Sequence, residues 1–424
     1  MKAVVLTLGC KVNECESDSL LRGLSDRGYE VSDKLEYADL YIVNTCAVTG
    51  EAEKKSRQTV SRINAINPSA KIIFTGCAAQ NAPEAFADKK NVAVVTGSFN
   101  KKRILDLLDE SGVFIGEQPK EFEELPTVKT LRTRGFIKVQ DGCDNFCSYC
   151  LIPYVRGRER SRNPESVLKE IEECKYKETV INGINLSAYN FNGVNLAGLL
   201  KTLKNADTRI RLGSLEVGVI TDEFLTAAKE LKNFAPHFHL SLQSGSDAVL
   251  KKMNRKYTTE EFFAATERIR KIFPNAGITT DIIAGFPTET EEDFAETLNF
   301  IDKINFSDIH AFPYSPRKGT AAYRYKDLSG DVKKARLTSL LVKKRELKSA
   351  FIEKNVGETL YFLPEEEKNG YAEGYSENYI RLYVKDGIIG GGIEKVKLIK
   401  EYEDGAIAEI IKQKGEGNER LFVL

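Results

Sequence analysis

The sequence has no run of about 18 consecutive apolar residues, which is the length that a helix needs to cross a membrane. It also has no net charge, because 62 Lys and Arg residues balance 62 Asp and Glu residues, so bulk electrostatics favour no class of partner. The opening stretch MKAVVLTLGC shows no signal peptide and predicts a strand. We therefore expect a cytoplasmic protein that does not enter a membrane.

Ligands for a closed metal site are scarce as well. The 424 residues contain eight cysteines and three histidines, and six of the cysteines form two groups of three. A closed structural zinc site needs four ligands, and a four-iron cluster ligated only by protein needs four thiolates. Cysteines in a chain without secretory features favour metal or redox use over disulfides. The pattern therefore predicts two metal centres, each with one position open for chemistry.

One group of cysteines is compact and follows a predicted strand at 135–140. It has the spacing C-x-x-x-C-x-x-C in KVQDGCDNFCSYCLIPY and consists of Cys143, Cys147 and Cys150. Three thiolates in one tight loop can bind three irons of a cubane cluster and leave the fourth iron free for an amino and carboxylate ligand. A zinc knuckle is the alternative, but it needs a fourth Cys or His nearby. The three histidines are distant in sequence: His237, His239 and His310.

The other group is dispersed, since Cys10, Cys46 and Cys77 each come shortly after a predicted strand ends. Because ligands bind at the carboxyl edge of a parallel sheet, we expect these three thiols to converge in space. A glycine directly precedes two of them, which lets the backbone approach a bulky cluster. The alternative is that they are buried small apolar residues, which is how we interpret Cys15 and Cys174.

Strand and helix patterns alternate along most of the chain, which predicts an α/β fold. Residues 1–120 contain short apolar strands separated by helices, the first of them at 17–27, which is typical of a doubly wound parallel sheet. Residues 130–350 predict an open or partial (βα)6 barrel, and residues 355–424 predict a small β-barrel. The predicted strands of the second domain are 135–140, 178–182, 209–215, 237–242, 278–284 and 307–312.

Several motifs together resemble one family. The C-x-x-x-C-x-x-C loop after the first strand of a partial barrel is similar to the radical S-adenosylmethionine (SAM) superfamily. The three-cysteine domain in front of it narrows the resemblance to the methylthiotransferases. The last domain resembles a TRAM module. Four further stretches match the family: LIPYVRGRERSR, SLQSGSDAVLKKMNR, TTDIIAGFPTETEEDF and AFPYSPRKGTAA.

The stretch TLGCKVNECES resembles the branch that acts on N6-threonylcarbamoyladenosine in tRNA. Lys11-Val12 follow the first cysteine, where the isopentenyladenosine branch usually has Gln-Met and the ribosomal-protein branch Pro-Lys. Isopentenyladenosine tRNA and a ribosomal-protein aspartate are therefore the alternative substrates. A metal-stabilised RNA-binding protein without catalysis is the alternative from another class.

The resemblance implies two [4Fe-4S] clusters and SAM in two roles, as radical source and as methyl donor. The reduced cluster at the compact group would cleave SAM to a 5′-deoxyadenosyl radical, which removes hydrogen from carbon 2 of the adenine. The cluster at the dispersed group would hold a sulfur species that a second SAM methylates before it joins the carbon radical. The resemblance also implies an electron donor such as flavodoxin or ferredoxin, while nothing demands an oligomer.

Candidate SAM contacts lie between the last two cysteines and at the ends of the following strands. The superfamily places an aromatic residue near adenine at the position of Tyr149. The other candidates are Asn185, Ser214, Glu216, Gln243, Ser244, Ile283 and Gly285. For each polar side chain, a loop cap or a structural hydrogen bond is the alternative. The glycine that the family usually has after Pro287 is Thr288 here.

Charge is distributed unevenly along the chain. Eleven Lys and Arg oppose three Asp and Glu between 317 and 348, and eight oppose three between 129 and 162. The second stretch flanks the cluster loop and includes Arg156, Arg158, Arg160 and Arg162. Both stretches predict contact with RNA. Residues 351–424 carry ten Lys and Arg against fifteen Asp and Glu, which disfavours phosphate binding, and we expect core packing for most of Tyr375, Tyr379 and Tyr383.

Overall fold

The computed structural model describes residues 1–126 and 133–411. Its elements form a parallel sheet, then an open barrel, then a closed β-barrel, which confirms the predicted fold class. The predicted domain start at residue 130 and the end of the last domain lie outside the described residues, and the domain boundaries stay a prediction. Within the described ranges, none of the helices combines the length and apolarity that crossing a bilayer requires.

Residues 1–126 form a sheet of parallel strands with helices packed on it. The strands are β1 Lys2–Thr7, β2 Glu30–Ser32, β3 Leu40–Thr45, β4 Lys71–Gly76, β5 Val92–Thr96 and β6 Gly112–Phe114. The helices are α1 Lys11–Asp26, α2 Gly50–Ile66, α3 Cys77–Asn81 and α4 Glu84–Ala87. The strand order is β2-β1-β3-β4-β5-β6. Every residue of β3 is buried, as expected for a parallel strand covered on both faces.

Helix α1 begins at Lys11, earlier than the predicted start at residue 17. Its first two turns carry few apolar residues, so hydrophobic periodicity does not reveal them. Asn13, Glu16 and Ser17 of these turns are nevertheless buried. Their hydrogen-bond partners come from other parts of the fold, and these tertiary contacts account for the earlier start.

The second part of the chain forms the open barrel. Its strands are β7 Arg134–Asp141, β8 Arg160–Ser161, β9 Glu178–Gly183, β10 Asn190–Phe191, β11 Val194–Asn195, β12 Arg209–Leu212, β13 His237–Gln243, β14 Gly277–Ala284 and β15 Asp308–Pro313. Its helices are α5 Ile152–Arg156, α6 Pro164–Cys174, α7 Leu196–Thr202, α8 Asp222–Glu230, α9 Asp247–Lys252, α10 Thr259–Ile272, α11 Glu291–Ile304 and α12 Gly330–Lys354. All six predicted strands are present, although β12 ends at Leu212 and not at residue 215.

The barrel strands run in parallel in the order β7-β9-β12-β13-β14-β15. Hydrogen-bonded pairing joins β7, β9 and β12, and separately β13, β14 and β15, while single bridges such as Leu215 with Leu240 connect the two halves. In the described part of the chain, β7 does not pair with β15, so the barrel is open. The largest apolar core lies between these strands and the outer helices.

The last part of the chain is a closed β-barrel that covers the amino-terminal end of the open barrel. Its strands are β16 Thr359–Lys368, β17 Tyr371–Tyr375, β18 Arg381–Val384, β19 Glu394–Tyr402 and β20 Gly405–Ile410. Glu178, at the start of β9, binds the buried guanidinium groups of Arg209 and Arg211. Both arginines also donate to backbone carbonyls of the closed barrel, among them Ser376 O at 2.9 Å. A buried charge network therefore joins the two barrels.

Candidate active site

The compact cysteine group lies in the loop between β7 and α5, at the carboxyl edge of the open barrel. Gly142 has a φ of 75°, and a Cβ at this position would stand 1.9 Å from the carbonyl oxygen of Arg158, so only glycine fits. The backbone N–H of Cys143 then donates to the carbonyl of Gly157 at 3.0 Å. This tight path closes the loop that carries all three thiols.

Arg255 contacts this loop from the segment after α9. Its Nη1 donates to Cys147 Sγ at 3.2 Å, and its Nη2 pairs with Glu216 at 2.8 Å. The side chain of Asn145 in the loop donates to the same Glu216 oxygen at 2.8 Å. The sequence did not single out Arg255, although it ends the family-like stretch SLQSGSDAVLKKMNR. Its guanidinium places positive charge next to a thiol that the cluster would use.

The dispersed cysteines converge at the carboxyl edge of the first sheet. Cys10 caps α1, Cys46 directly follows β3, and Cys77 begins α3. The residues before Cys46 and Cys77 are register partners in neighbouring strands. A Cβ on Gly9 would lie 2.7 Å from Cys46 Sγ, so the backbone just before Cys10 is in close contact with the Cys46 thiol. The three sulfurs are thus brought together, as their positions after strands predicted.

Both cysteine groups fit an iron–sulfur cluster better than a single ion. Thiolates around a tetrahedral zinc lie about 3.8 Å apart, and within residues 1–126 and 133–411 no set of three His, Cys, Asp or Glu is placed to hold one metal ion. A four-iron cubane spaces its thiolates more widely and favours sulfur ligands. Burial raises the pKa of Cys46 and Cys143 to about 11, so iron would have to stabilise the thiolate forms.

A buried ion network lies between the two cysteine groups. Arg156, the last residue of α5, has no exposed surface, and its Nε–H donates to Cys77 Sγ at 3.2 Å. Its terminal nitrogens donate to Glu16 and Asn13 of α1 at 2.5 and 2.6 Å. Burial opposes ionisation of Glu16, but the charges of Arg156 and two lysines hold the pKa of that carboxyl well below its usual range.

This network corrects the expectation that residues 129–162 present a basic surface to RNA. Among the four arginines named from the sequence, Arg158 is exposed, and the others are buried: Arg156, Arg160 and Arg162. Arg162, for example, pairs with Glu124 and Glu170. The sequence did not reveal this because most of the partner carboxylates lie on other elements. Residues 129 and 132 lie outside the described part of the chain.

Two predicted SAM contacts line a cavity of about 840 Å³ beside the cluster loop. Glu216 lies on its wall together with Asn145 of the loop, and Asn185 lies nearby with its Nδ2 3.8 Å from Cys143 Sγ. Ser214 is exposed just beyond the end of β12. The cavity thus brings polar side chains from the ends of two barrel strands next to one thiol of the compact group.

The other predicted contacts lie in more enclosed surroundings. Tyr149 and Ile283 belong to an apolar cluster around Phe286, whose ring centroid is 6.4 Å from that of Tyr149. The buried Ser244 hydroxyl lies 3.3 Å from a threonine hydroxyl of α11. Two remaining candidates have left-handed backbones, Gln243 and Gly285, each with a φ of 72°. Contact of any of these residues with SAM stays a prediction.

Thr288 shows the consequence of replacing the family's usual glycine. Its φ is 81°, in the left-handed region that disfavours β-branched residues. Its hydroxyl oxygen is buried and finds no hydrogen-bond partner among the described residues. The loop after β14 therefore keeps the conformation that suits glycine, with a strained side chain in place.

The basic stretch 317–348 retains part of its predicted charge. Five of its cations form ion pairs with carboxylates: Arg317, Lys333, Arg336, Lys343 and Lys344. Others, such as Lys334 and Arg345, are exposed and pair with none of the described carboxylates. In the closed barrel, Tyr383 is buried and Tyr379 stacks on His237 at 4.2 Å. Core packing is thus confirmed for Tyr383, whereas Tyr375 and Tyr379 are only half-buried.

An open barrel of six parallel strands, with three thiols in the loop after its first strand, is the architecture of a radical SAM enzyme. The Radical SAM superfamily matches residues 137–301, and an uncharacterized protein family designated UPF0004 matches residues 2–97. A threonylcarbamoyladenosine tRNA methylthiotransferase MtaB from Bacillus subtilis is 37% identical, with 98% of each chain covered. The protein of that name from Thermotoga maritima is 40% identical over 96% of this chain and 97% of its own. The chain therefore belongs to the methylthiotransferase family of radical SAM enzymes.

Two further comparisons bear on substrate and fold. A tRNA-2-methylthio-N(6)-dimethylallyladenosine synthase from Thermodesulfovibrio yellowstonii is 34% identical over 96% of this chain and 98% of its own. Among solved structures, the radical SAM methyltransferase TsrM from Kitasatospora setae, with cobalamin and a [4Fe-4S] cluster bound, superposes with a TM-score of 0.55. It is 15% identical and covers 74% of each chain, so it supports the fold alone.

Proposed function

We propose that this chain is a tRNA methylthiotransferase that adds a methylthio group to carbon 2 of N6-threonylcarbamoyladenosine next to the anticodon. The observation that carries the proposal is the buried Arg156 link between two three-cysteine groups, because the reaction needs two clusters that share one nucleotide. Relatives named for threonylcarbamoyladenosine support the substrate at 37 and 40% identity. The relative named for dimethylallyladenosine is 34% identical, which makes that nucleoside the alternative.

The chain's own residues would hold and orient the cofactors. A carbon–hydrogen bond of an adenine ring has no useful acidity, so bound SAM and two [4Fe-4S] clusters would supply the radical and sulfur chemistry. One cluster would bind the compact thiols Cys143, Cys147 and Cys150. The other would bind the dispersed thiols Cys10, Cys46 and Cys77. In each group the protein supplies three thiolates and leaves one iron for a ligand.

SAM would bind where the cavity meets the compact loop. Glu216 is the candidate partner for its amino group, since its carboxylate is fixed there by Asn145 and Arg255. Tyr149 and Ile283 pack in one apolar cluster and would offer an apolar surface for adenine. Arg255 would keep the Cys147 thiolate in place and offset its charge.

The proposed reaction also implies which partners the protein needs and where in the cell it acts. The exposed cations of α12 would contact tRNA phosphates, which supply the sequence-independent part of the affinity. A one-electron donor of the flavodoxin or ferredoxin type would reduce the compact cluster. A single chain carries both thiol groups, so the reaction does not require an oligomer. We place it in the cytoplasm, with the tRNA.

Mass spectrometry of tRNA nucleosides tests the substrate. A strain that lacks the gene should lose 2-methylthio-N6-threonylcarbamoyladenosine and accumulate the nucleoside without the methylthio group, and the wild-type gene should restore it. Loss of a methylthiolated isopentenyladenosine would instead support the alternative substrate. Unchanged tRNA nucleosides in the deletion strain would contradict a tRNA substrate.

Two cysteine variants test the division of labour between the clusters. Cys46→Ala should still release 5′-deoxyadenosine from SAM under reducing conditions but should form no methylthiolated product. Cys147→Ala should lose both activities, because the compact cluster would no longer bind SAM. A Cys46→Ala enzyme that still methylthiolates tRNA would show that the dispersed group is not the sulfur donor.

A further inference from the structure

Arg156 connects the two cysteine groups. Its side chain contacts a sulfur of the dispersed group, whereas its backbone lies just after the compact loop. It ends α5, the short helix that directly follows Cys150 in the compact loop. Its Nε–H donates to Cys77 Sγ at 3.2 Å, and no part of the residue is exposed. A side chain six residues beyond one proposed cluster thus contacts a ligand of the other.

The helix that carries Arg156 is anchored on the first sheet as well. Val155 packs into the apolar core on one face of that sheet, and its carbonyl accepts a hydrogen bond from the hydroxyl of Ser98. Helix α5 therefore contacts the first sheet and also continues directly from the compact cysteine loop. Movement of the compact loop relative to Cys77 would break these contacts together.

The ion pair with Glu16 does not by itself explain Arg156. Two buried lysines already reach that carboxylate, Lys138 at 2.9 Å and Lys101 at 3.4 Å. Asp141 pairs with Lys138, Arg156 and the buried Arg160, so the group contains four cations and two carboxylates. The surplus positive charge lies beside the Cys77 sulfur, where a thiolate-ligated cluster would add negative charge.

We propose that Arg156 is a positioning residue for the cluster at Cys10, Cys46 and Cys77, and that it ties this cluster to the SAM-cleaving one. The proposal rests on the proposed function for the nature of that cluster. A hydrogen bond to a ligand sulfur withdraws electron density and raises the reduction potential of an iron–sulfur cluster. Arg156 therefore sets both the place and the potential of the sulfur-donating centre.

The test uses the full chain with Cys143, Cys147 and Cys150 changed to Ala, so that only the second cluster forms. Arg156→Gln and Arg156→Lys are compared with Arg158→Gln, a change two residues away at an exposed arginine paired with Asp144. Iron content, the electron paramagnetic resonance spectrum and the midpoint potential are measured after anaerobic reconstitution. None of these readouts depends on tRNA, so the result is independent of the substrate assignment.

The two Arg156 variants should shift the midpoint potential to more negative values and alter the spectrum, while Arg158→Gln should match the parent. Lys keeps the positive charge but lacks the Nε–H that reaches the sulfur, so Arg156→Lys isolates the hydrogen bond. Circular dichroism shows whether each variant is folded. If Arg156→Gln is not folded, the potential and spectrum of Arg156→Lys alone test the proposal. A parent-like potential and spectrum in every folded Arg156 variant would overturn the proposal.

Discussion

Replacing Glu178 with Gln should lower the free energy of unfolding, because this carboxylate is the shared partner of an arginine cluster at the interface of the two barrels. Glu178 has no exposed surface and pairs with Arg134, Arg209 and Arg211 at 2.5 to 2.9 Å. Two of the arginines also donate to carbonyls of the closed barrel. Gln keeps the volume of the side chain but removes the carboxylate partner of the buried Arg209 and Arg211, while Arg134 keeps a second carboxylate, Glu365, at 3.4 Å.

Removing one partner of a buried ion pair costs about 3–5 kcal/mol. Since Arg209 and Arg211 keep their carbonyl partners, we expect the lower end of this range, about 3 kcal/mol. Urea unfolding followed by circular dichroism measures the change under anaerobic conditions. Glu223→Gln is the matched control, because Glu223 forms an exposed pair with Lys201 and its loss should not move the curve. Equal midpoints for the two variants would refute the reasoning.

The carboxylate of Glu178 should also make the free energy of unfolding depend on pH in the acidic range. Burial opposes ionisation of Glu178, but the three arginines outweigh it and hold its pKa well below the ordinary value of 4.5. A group with a lowered pKa in the folded state stabilises the fold fully above its unfolded pKa and loses this contribution as the pH falls toward the folded value. The difference in stability between the parent and Glu178→Gln should therefore be constant near neutral pH and should shrink below about pH 4.5.

Two further changes test other parts of the structure. Thr288→Gly should raise the free energy of unfolding by about 1 kcal/mol, because glycine relieves the left-handed backbone and removes an unpartnered hydroxyl; a lower urea midpoint would contradict this. Changing Lys334 and Arg345 to Glu should weaken tRNA binding in a filter assay and reduce the slope of its salt dependence by about one for each phosphate that is no longer neutralised. The same change at the exposed Lys395 and Lys397 of the acidic closed barrel should have less effect, and the reverse ranking would remove α12 from the RNA-binding surface.

Local patterns were sufficient to predict most of the fold. Short apolar strands such as β3 are encoded by neighbouring residues. The rule that strand ends of a parallel sheet share one edge then placed Cys10, Cys46 and Cys77 together without any long-range information.

The buried charges could not be predicted in this way. Arg156 and Glu16 are 140 positions apart and meet only because α1 and α5 pack at the same edge. In the sequence, Arg156 is one of four arginines in a polar stretch, and such a stretch is typical of an exposed basic surface. Helix α12 shows a similar limit, since several of its cations are neutralised by partners from other elements, as Arg336 is by Glu289.

The central claim is that one chain carries two four-iron clusters at two separate groups of three cysteines. Iron analysis of the anaerobically reconstituted protein, compared with a variant in which Cys10, Cys46 and Cys77 are changed to Ala, tests it most directly. We expect about eight irons per parent chain and about four per variant chain. About four irons in both proteins, or zinc in place of iron, would contradict the account.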